Sequence, residues 1–248
     1  MPIRIAGAAA GAKLESPANG GHLNFQPTVD MRKEPYILSF NENIDLLKDV
    51  QVTQGLIDGL LAAIHPLFKD AVIPDGLLGL NMKHFNWPLS EKERNKATFV
   101  GTLQLNGIRL NSTPFMAGLL NMMGISERQL SLADQNLDFE AKNGRIALSP
   151  VTLDAEGYQL KMHGSIGFDQ TLDFIARLPV TKKMVGKDAY RFLQGTTIKV
   201  PIRGTTSQPR IDEAAFQEAT GDLMQQALRK NLQTGVQNLF NNIFKKTE

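Results

Sequence analysis

Apolar residues occupy every second position through much of the segment 137–178. The alternation begins at Leu137 and Phe139 and is still present at Leu178. A period of two gives each strand one apolar and one polar face. Asn143-Gly144 separates the first two runs, and this dipeptide favours a type I′ hairpin because both residues tolerate positive φ. The segment is therefore predicted to form four antiparallel strands that share one apolar face.

Polar steps at Glu156-Gly157 and Asp169-Gln170-Thr171 predict the next two reversals. Residues 182–194 favour a short helix, and residues 197–203 favour another strand. The segment 137–212 thus forms a meander that ends shortly before a long helix.

Three stretches show helical spacing of their apolar residues. Residues 50–70 carry a wide apolar stripe, with Thr53 or Gln54 at the start of the helix and Pro66 expected to kink or end it. Thr113-Pro114 provides an N-cap and an early proline for a short helix that Gly124 ends. A long amphipathic helix is predicted over residues 213–246.

The N-terminal part also favours strands. Residues 1–21 are small and glycine-rich and are expected to be a strand or a flexible lead-in. Strands are predicted over 22–29 and 36–40. Later strands are expected within 76–89 and 98–110, separated by a solvated charged loop. No linker divides the chain, so residues 1–248 are predicted to form one α+β domain.

The composition excludes several classes of function. The chain has no cysteine, and its 27 basic and 25 acidic residues leave a net charge of +2, which gives no support for nucleic-acid binding. The histidines, at 22, 65, 84 and 163, are isolated and predict no metal site. Gly164-Ser165-Ile166-Gly167 lies inside an alternating strand, where glycine permits a bend or close approach. No catalytic constellation and no cofactor site are predicted, so the chain is not expected to be an enzyme.

The apolar face of the meander is the main candidate for function. Either helices seal it as an ordinary core, or the sheet curls into a trough that accepts lipid chains; periodicity fits both. If lipid binds, the contacts are expected on the face opposite Lys161, His163 and Asp173. These candidates are Leu160, Met162, Ile166, Phe168, Leu172 and Phe174.

The segment 137–212 resembles the C-terminal region of the AsmA-like family of bacterial envelope proteins. The resemblance rests on the order of four short phrases rather than on any one of them. They are Asn143-Gly144-Arg145-Ile146, Gly164-Ser165-Ile166, a leucine-rich strand ending at Leu178-Pro179, and Val200-Pro201-Ile202-Arg203-Gly204-Thr205 followed by Pro209. Residues 1–136 match more loosely.

The resemblance implies an elongated, curled antiparallel sheet that forms an apolar groove, with amphipathic helices packed on or capping it. It also implies a non-enzymatic role in lipid transport or outer-membrane assembly, with phospholipid or another acyl-chain lipid as ligand. The expected location is the periplasmic face of the cell envelope. Family members usually carry a transmembrane helix, and no apolar run here reaches the roughly 20 residues required, so a fragment of a longer anchored protein is expected. The alternative is a sealed assembly module that docks an envelope protein through its helices.

Overall fold

The computed structural model describes residues 3–6, 9–61, 68 and 73–229. Within these residues, antiparallel pairing joins the strands into one open sheet, and a few helices lie in the connections. The predicted predominance of antiparallel strands is confirmed.

The strands fall into two groups along the chain. Those before the first helix are β1 (Ile3–Ala6), β2 (Ala9–Ala12), β3 (Leu14–Ala18), β4 (Gly21–Phe25), β5 (Pro27–Asp30), β6 (Ile37–Phe40) and β7 (Ile44–Gln51). Those after it are β8 (Leu77–Pro88), β9 (Thr98–Asn106), β10 (Arg109–Asn111), β11 (Gln129–Leu132), β12 (Gln135–Lys142), β13 (Arg145–Ala155), β14 (Tyr158–Gly167), β15 (Leu172–Pro179), β16 (Thr197–Gly204) and β17 (Pro209–Ile211).

The helices are short, apart from the last. They are α1 (Gln54–Leu56), which continues as a π-helical turn over Ile57–Leu61, then α2 (Pro114–Met122), α3 (Lys182–Val185), α4 (Lys187–Leu193) and α5 (Glu213–Arg229), with a 3₁₀ helix at Glu91–Lys96.

Two long strands, β8 and β13, each pair with two shorter strands along one edge. The first half of β8 pairs with β7 and its last residues pair with β6. The first half of β13 pairs with β12, and its second half pairs with β11. From β8 the sheet continues in the order β9, β12, β13, β14, β15, β16 and β17. In the other direction it branches through β7, β4 and β3, and through β6, β5, β2 and β1.

The three predicted reversals of the meander are confirmed by the antiparallel pairing of β12 to β15, and the first two are hairpin turns. Asn143 and Gly144 have φ of 53° and 74°, and Glu156 and Gly157 have φ of 45° and 80°. Both central residues of each turn thus have the positive φ that a type I′ turn requires.

Burial alternates along β12 and β15, as the period of two predicts. The alternation is interrupted in β13 and β14, which pair with an irregularity between Leu148 and Val151, and in β16, where Pro201 is buried between Val200 and Ile202. The inward residues form one cluster with apolar side chains of the helices. Helix residues in this cluster are Ile57, Leu61, Met116, Leu119, Leu120, Met122, Met184, Val185, Leu193 and Phe216. We call β7–β16, with these helices, the covered sheet.

Strands β2–β6 differ, and we call them the half-covered sheet. Among the side chains described before Ile44, none is buried. Register nevertheless continues the apolar face into this region, because Leu38 lies opposite Trp87, and Val29 lies opposite Leu38. Val29, Leu38 and Trp87 therefore lie on the same face of the sheet.

Several local predictions differ from the structure. Residues 1–21 contribute strands as far as they are described, and residues 44–51 form β7, which was not predicted. The helix predicted within 50–70 begins at Gln54 with Thr53 as its N-cap, in agreement with the predicted start, while Val50 and Gln51 complete β7. Pro66 lies outside the described residues. Gly186, with φ of 81°, divides the predicted helix 182–194 in two. The long C-terminal helix is described as far as Arg229, so the remainder of 213–246 lies outside the described residues.

Candidate functional site

Seven aromatic side chains contact one another on the apolar side of the sheet. They come from β4, β6, β8, β9, β12 and the turn that follows β14. We call this set the aromatic strip: Phe25, Phe40, Phe85, Trp87, Phe99, Phe139 and Phe168.

The rings of the strip contact one another in sequence across the sheet. The ring centroids of Phe25 and Phe40 are 5.4 Å apart, and those of Phe40 and Phe85 are 4.6 Å apart. Trp87 reaches Phe168 at 5.6 Å. These separations lie in the range of favourable aromatic pairs, each worth about 0.5–1.5 kcal/mol beyond its buried area. The strip is therefore a continuous apolar surface.

Strand register explains how residues from distant parts of the chain meet. Phe85 lies directly opposite Phe99 in the β8–β9 pair. A register shift between Met82 and His84 in β8 keeps Phe85 and Trp87 on the apolar face. Phe168 follows β14 and extends back over β9, where its ring stacks on Phe99 at 6.4 Å.

Exposure along the strip changes from one end to the other. Phe99 and Phe139 are buried within the covered sheet. Phe25, Phe40 and Trp87 are only half-buried. Beyond them on the same face lies Leu14, paired with Phe25 and 38% exposed. The strip therefore joins the sealed core to an accessible apolar surface.

The six residues predicted to contact lipid lie on the apolar face, within or beside the covered sheet. Five of them are buried members of its core: Leu160, Met162, Ile166, Leu172 and Phe174. Phe168 is half-buried and belongs to the aromatic strip. The structure thus brings all six onto one face, and only Phe168 reaches the accessible part. Their role as lipid contacts stays a prediction.

Sequence reasoning missed the rest of the strip. Phe25, Phe40, Phe85 and Trp87 come from strands that were predicted, but nothing in the sequence showed which strands pair. Phe25, Phe40 and Trp87 gave a usable signal, because each follows another apolar residue at a spacing of two. Phe85 follows Lys83 at that spacing, because the register shift in β8 interrupts the alternation.

The opposite face of this region is polar. An open depression of about 400 Å³ is lined there by Ser39, Asn86 and Thr98 among others. At its rim, hydrogen bonds from the Arg32 side chain and backbone lower the pKa of Asp30 to about 2. Arg32 and Asp30 form an exposed ion pair with an N–O distance of 2.5 Å. The pair stabilises a local turn and does not neutralise a buried charge.

Metal ligands do not converge in the described residues: no group of three or more His, Asp or Glu side chains there could hold an ion. His22, His84 and His163 lie on different strands, and His65 lies outside the described residues. His84 instead contacts Thr98 at 3.3 Å between Nε2 and Oγ1.

Comparison with protein-family models, curated proteins and solved structures yields no match. Among the helices that the structure describes, none is long and apolar enough to cross a membrane. These comparisons neither support nor contradict the resemblance to the AsmA-like family.

Proposed function

We propose that this chain is a non-enzymatic protein of the cell envelope that binds lipid acyl chains on the apolar face of its sheet. The aromatic strip is the point of access, and the predicted residues of β14 and β15 line the face further in. The sequence resemblance to the AsmA-like family supports the envelope location and the lipid class.

One observation carries the proposal: the apolar face extends past its helical cover into the half-covered sheet. Phe25 and Phe40 of the half-covered sheet are half-buried, as is Trp87 of the adjacent β8, and Leu14 is 38% exposed. A contiguous accessible apolar surface on a folded protein marks a place where another apolar group binds.

The chemistry of this surface favours an alkyl chain over a polar ligand. The strip is made of Phe and Trp rings, and the polar side chains of the same strands, such as Ser39 and Asn86, point to the opposite face. An alkyl chain needs no hydrogen-bond partner, and each buried methylene contributes about 0.8 kcal/mol. A ligand rich in hydroxyl or amide groups would lose its hydrogen bonds with water there.

Trp87 allows a direct test because it is the only tryptophan of the chain. Fatty acids brominated along the alkyl chain quench indole fluorescence on contact. We expect quenching of Trp87 that saturates with concentration, and co-purified lipid in native mass spectra. The variant Phe40→Gln is expected to weaken the quenching at least tenfold in concentration, because it places an amide in the strip.

The matched control is Ile37→Gln, which makes a similar change on the opposite face of the same strand. It is expected to leave quenching unchanged. A protein without co-purified lipid, whose Trp87 emission is insensitive to every brominated chain, would contradict the proposal.

The second candidate function is a sealed assembly module that docks a protein partner through its helices. It is favoured by the burial of five of the predicted lipid contacts and by Phe192 of α4, which is 57% exposed. The variant Phe192→Ser should then abolish partner binding while leaving the response of Trp87 to brominated chains unchanged. Two apolar residues of the predicted last helix, Leu239 and Phe240, are also candidates for contact with a protein partner, and they lie outside the described residues.

A further inference from the structure

Three basic side chains lie in a single cross-strand row on the polar face of the covered sheet. Lys161 of β14 is directly opposite Arg177 of β15, and Arg177 is directly opposite Lys199 of β16. All three are exposed. We call them the cationic row.

None of the three members of the row forms an ion pair among the described residues. One acid on this face, Asp154 of β13, lies diagonal to Lys161, whose direct partner on that strand is Thr152. Like charges placed directly opposite each other destabilise a sheet. With strands about 4.8 Å apart, the row places three positive charges within about 10 Å.

The same three strands show the contrasting arrangement at another position. Asp173 of β15 lies beside Arg203 of β16, and their carboxylate and guanidinium are 2.8 Å apart. Asp173 is four residues from Arg177, so it lies about 13 Å along the strand and is already paired. Asp173 and Arg203 therefore form an ion pair across these strands, whereas the members of the cationic row form none among the described residues.

The positive field of the row reaches its neighbour. His163 lies two residues from Lys161 on the same face. Partial burial, followed by the charges of Arg177 and Lys199, lowers the pKa of this imidazole. The local potential is thus positive, although the chain as a whole carries a net charge of only +2.

We propose that the cationic row binds the phosphate groups of anionic phospholipids at a membrane surface. A row across neighbouring strands presents its charges on an extended sheet face, which suits the plane of a bilayer. A nucleic acid would need a longer basic surface and base-stacking aromatics on the same face. This proposal is independent of acyl-chain binding, because the row lies on the face opposite the apolar one.

The test is partitioning of the full chain onto vesicles of phosphatidylcholine, with and without phosphatidylglycerol. Binding is expected only to the anionic vesicles and is expected to weaken as salt increases. Each basic residue near an anionic surface contributes about fivefold to partitioning, so the triple variant K161Q/R177Q/K199Q should bind about 100-fold more weakly.

The control is the triple variant K48Q/K83Q/K92Q, which makes the same change in net charge at exposed lysines outside the row. It is expected to retain most of the binding. The row variant should also leave quenching of Trp87 by free brominated fatty acid unchanged, so the two proposals can fail separately.

A second measurement follows the imidazole of His163 by NMR. Anionic bicelles are expected to raise its pKa in the natural sequence, because bound phosphate offsets the charges of the row. Equal binding by both triple variants, equal binding to neutral vesicles, or an unchanged His163 pKa would overturn the proposal. Tighter binding of polyglutamate than of anionic vesicles would also overturn it, because the row would then favour an acidic protein segment over phospholipid.

Discussion

The covered sheet and the half-covered sheet share one apolar face but differ in what lies against it. In β12 to β16, inward residues such as Leu137 and Phe174 are buried, and outward residues are exposed. In β2 to β6 both faces are only partly accessible, and no described side chain is buried. The helices contribute apolar side chains to the core cluster of the covered sheet, and none of the described residues of β2 to β6 is a buried member of that cluster.

The buried part of the face stabilises the fold, and the partly exposed part is where acyl-chain binding is proposed. A buried apolar face packs against other apolar side chains of the protein, whereas a partly exposed face leaves apolar area in contact with water. The aromatic strip crosses the boundary between the two regions. Changes on either side of this boundary should therefore affect different properties of the protein.

The largest expected effect is on stability, from Phe174→Ala compared with Phe25→Ala. Phe174 is buried in the covered sheet, so its truncation should lower the free energy of unfolding by about 3–5 kcal/mol. Phe25 is half-buried, and its truncation should cost about 1–2 kcal/mol. Urea denaturation measures both.

The Phe25 variant should also weaken quenching of Trp87 by brominated chains, because its ring begins the strip. Equal losses of stability in the two variants would show that the half-covered sheet is as tightly packed as the covered one, and the comparison would fail.

A smaller effect is expected from alanine at two glycines where strands approach closely. A Cβ on Gly164 would meet the backbone of Asp173 and Phe174 in the covered sheet. This close approach agrees with the role predicted for that glycine. Gly164→Ala should cost about 2–3 kcal/mol, because the neighbouring strand is held on both sides.

The matched variant is Gly21→Ala, whose Cβ would meet backbone atoms of Lys48 and Asp49 beside the half-covered sheet. Although β4 is also paired on both sides, it carries no buried side chain, so less packing is lost if it shifts and a cost of about 1 kcal/mol is expected. A larger cost for Gly21→Ala than for Gly164→Ala would reverse the proposed order of rigidity.

Local features were predictable from the sequence where short-range chemistry decides them. Asn143-Gly144 and Glu156-Gly157 form the expected turns, and the Thr113 side chain accepts a hydrogen bond from the Met116 backbone at 3.3 Å, as an N-cap should. The strand β7 was missed because its register shifts break the alternation of Ile44 to Gln51.

The site was less predictable because it depends on pairing between distant strands. Phe25 and Phe168 belong to one strip only because β4, β7, β8 and β9 pair in that order. Neither period nor composition contains this information. The cationic row was hidden for the same reason: Lys161, Arg177 and Lys199 are separated in sequence, and register alone aligns them.

A still smaller effect is expected from Lys199→Gln on the polar face of the covered sheet. Removing one of three opposed like charges should raise the free energy of unfolding by about 0.2–1 kcal/mol. The variant Arg203→Gln is the control, since it breaks the ion pair with Asp173 and should not stabilise the protein. Destabilisation by Lys199→Gln would show that Lys199 has a structural partner.

The smallest effects concern pH, and the two regions should respond in different windows. Asp30 has a pKa of about 2, below the value of about 3.9 expected when unfolded, so the unfolded chain binds the proton first. The stabilisation from Asp30 is therefore present above about pH 4 and is lost as the pH falls towards 2. Arg32→Gln should raise this pKa only partly, because the backbone hydrogen bond from residue 32 remains.

His163 follows the same sign at higher pH. Its folded-state pKa is lowered, so protonation favours the unfolded chain as the pH falls below about 6.5. His163 lies opposite Ile175, so Asp173 and Arg177 of β15 are both diagonal to it on this face. Lys161 is two residues away on β14, Lys199 lies beyond Arg177 on β16, and Asp173 is paired with Arg203. Lys199→Gln should therefore raise the His163 pKa and flatten the loss of stability in this window, with no change at Asp30. NMR titration of both groups measures this, and a shift at Asp30 in the Lys199 variant would contradict the independence of the two regions.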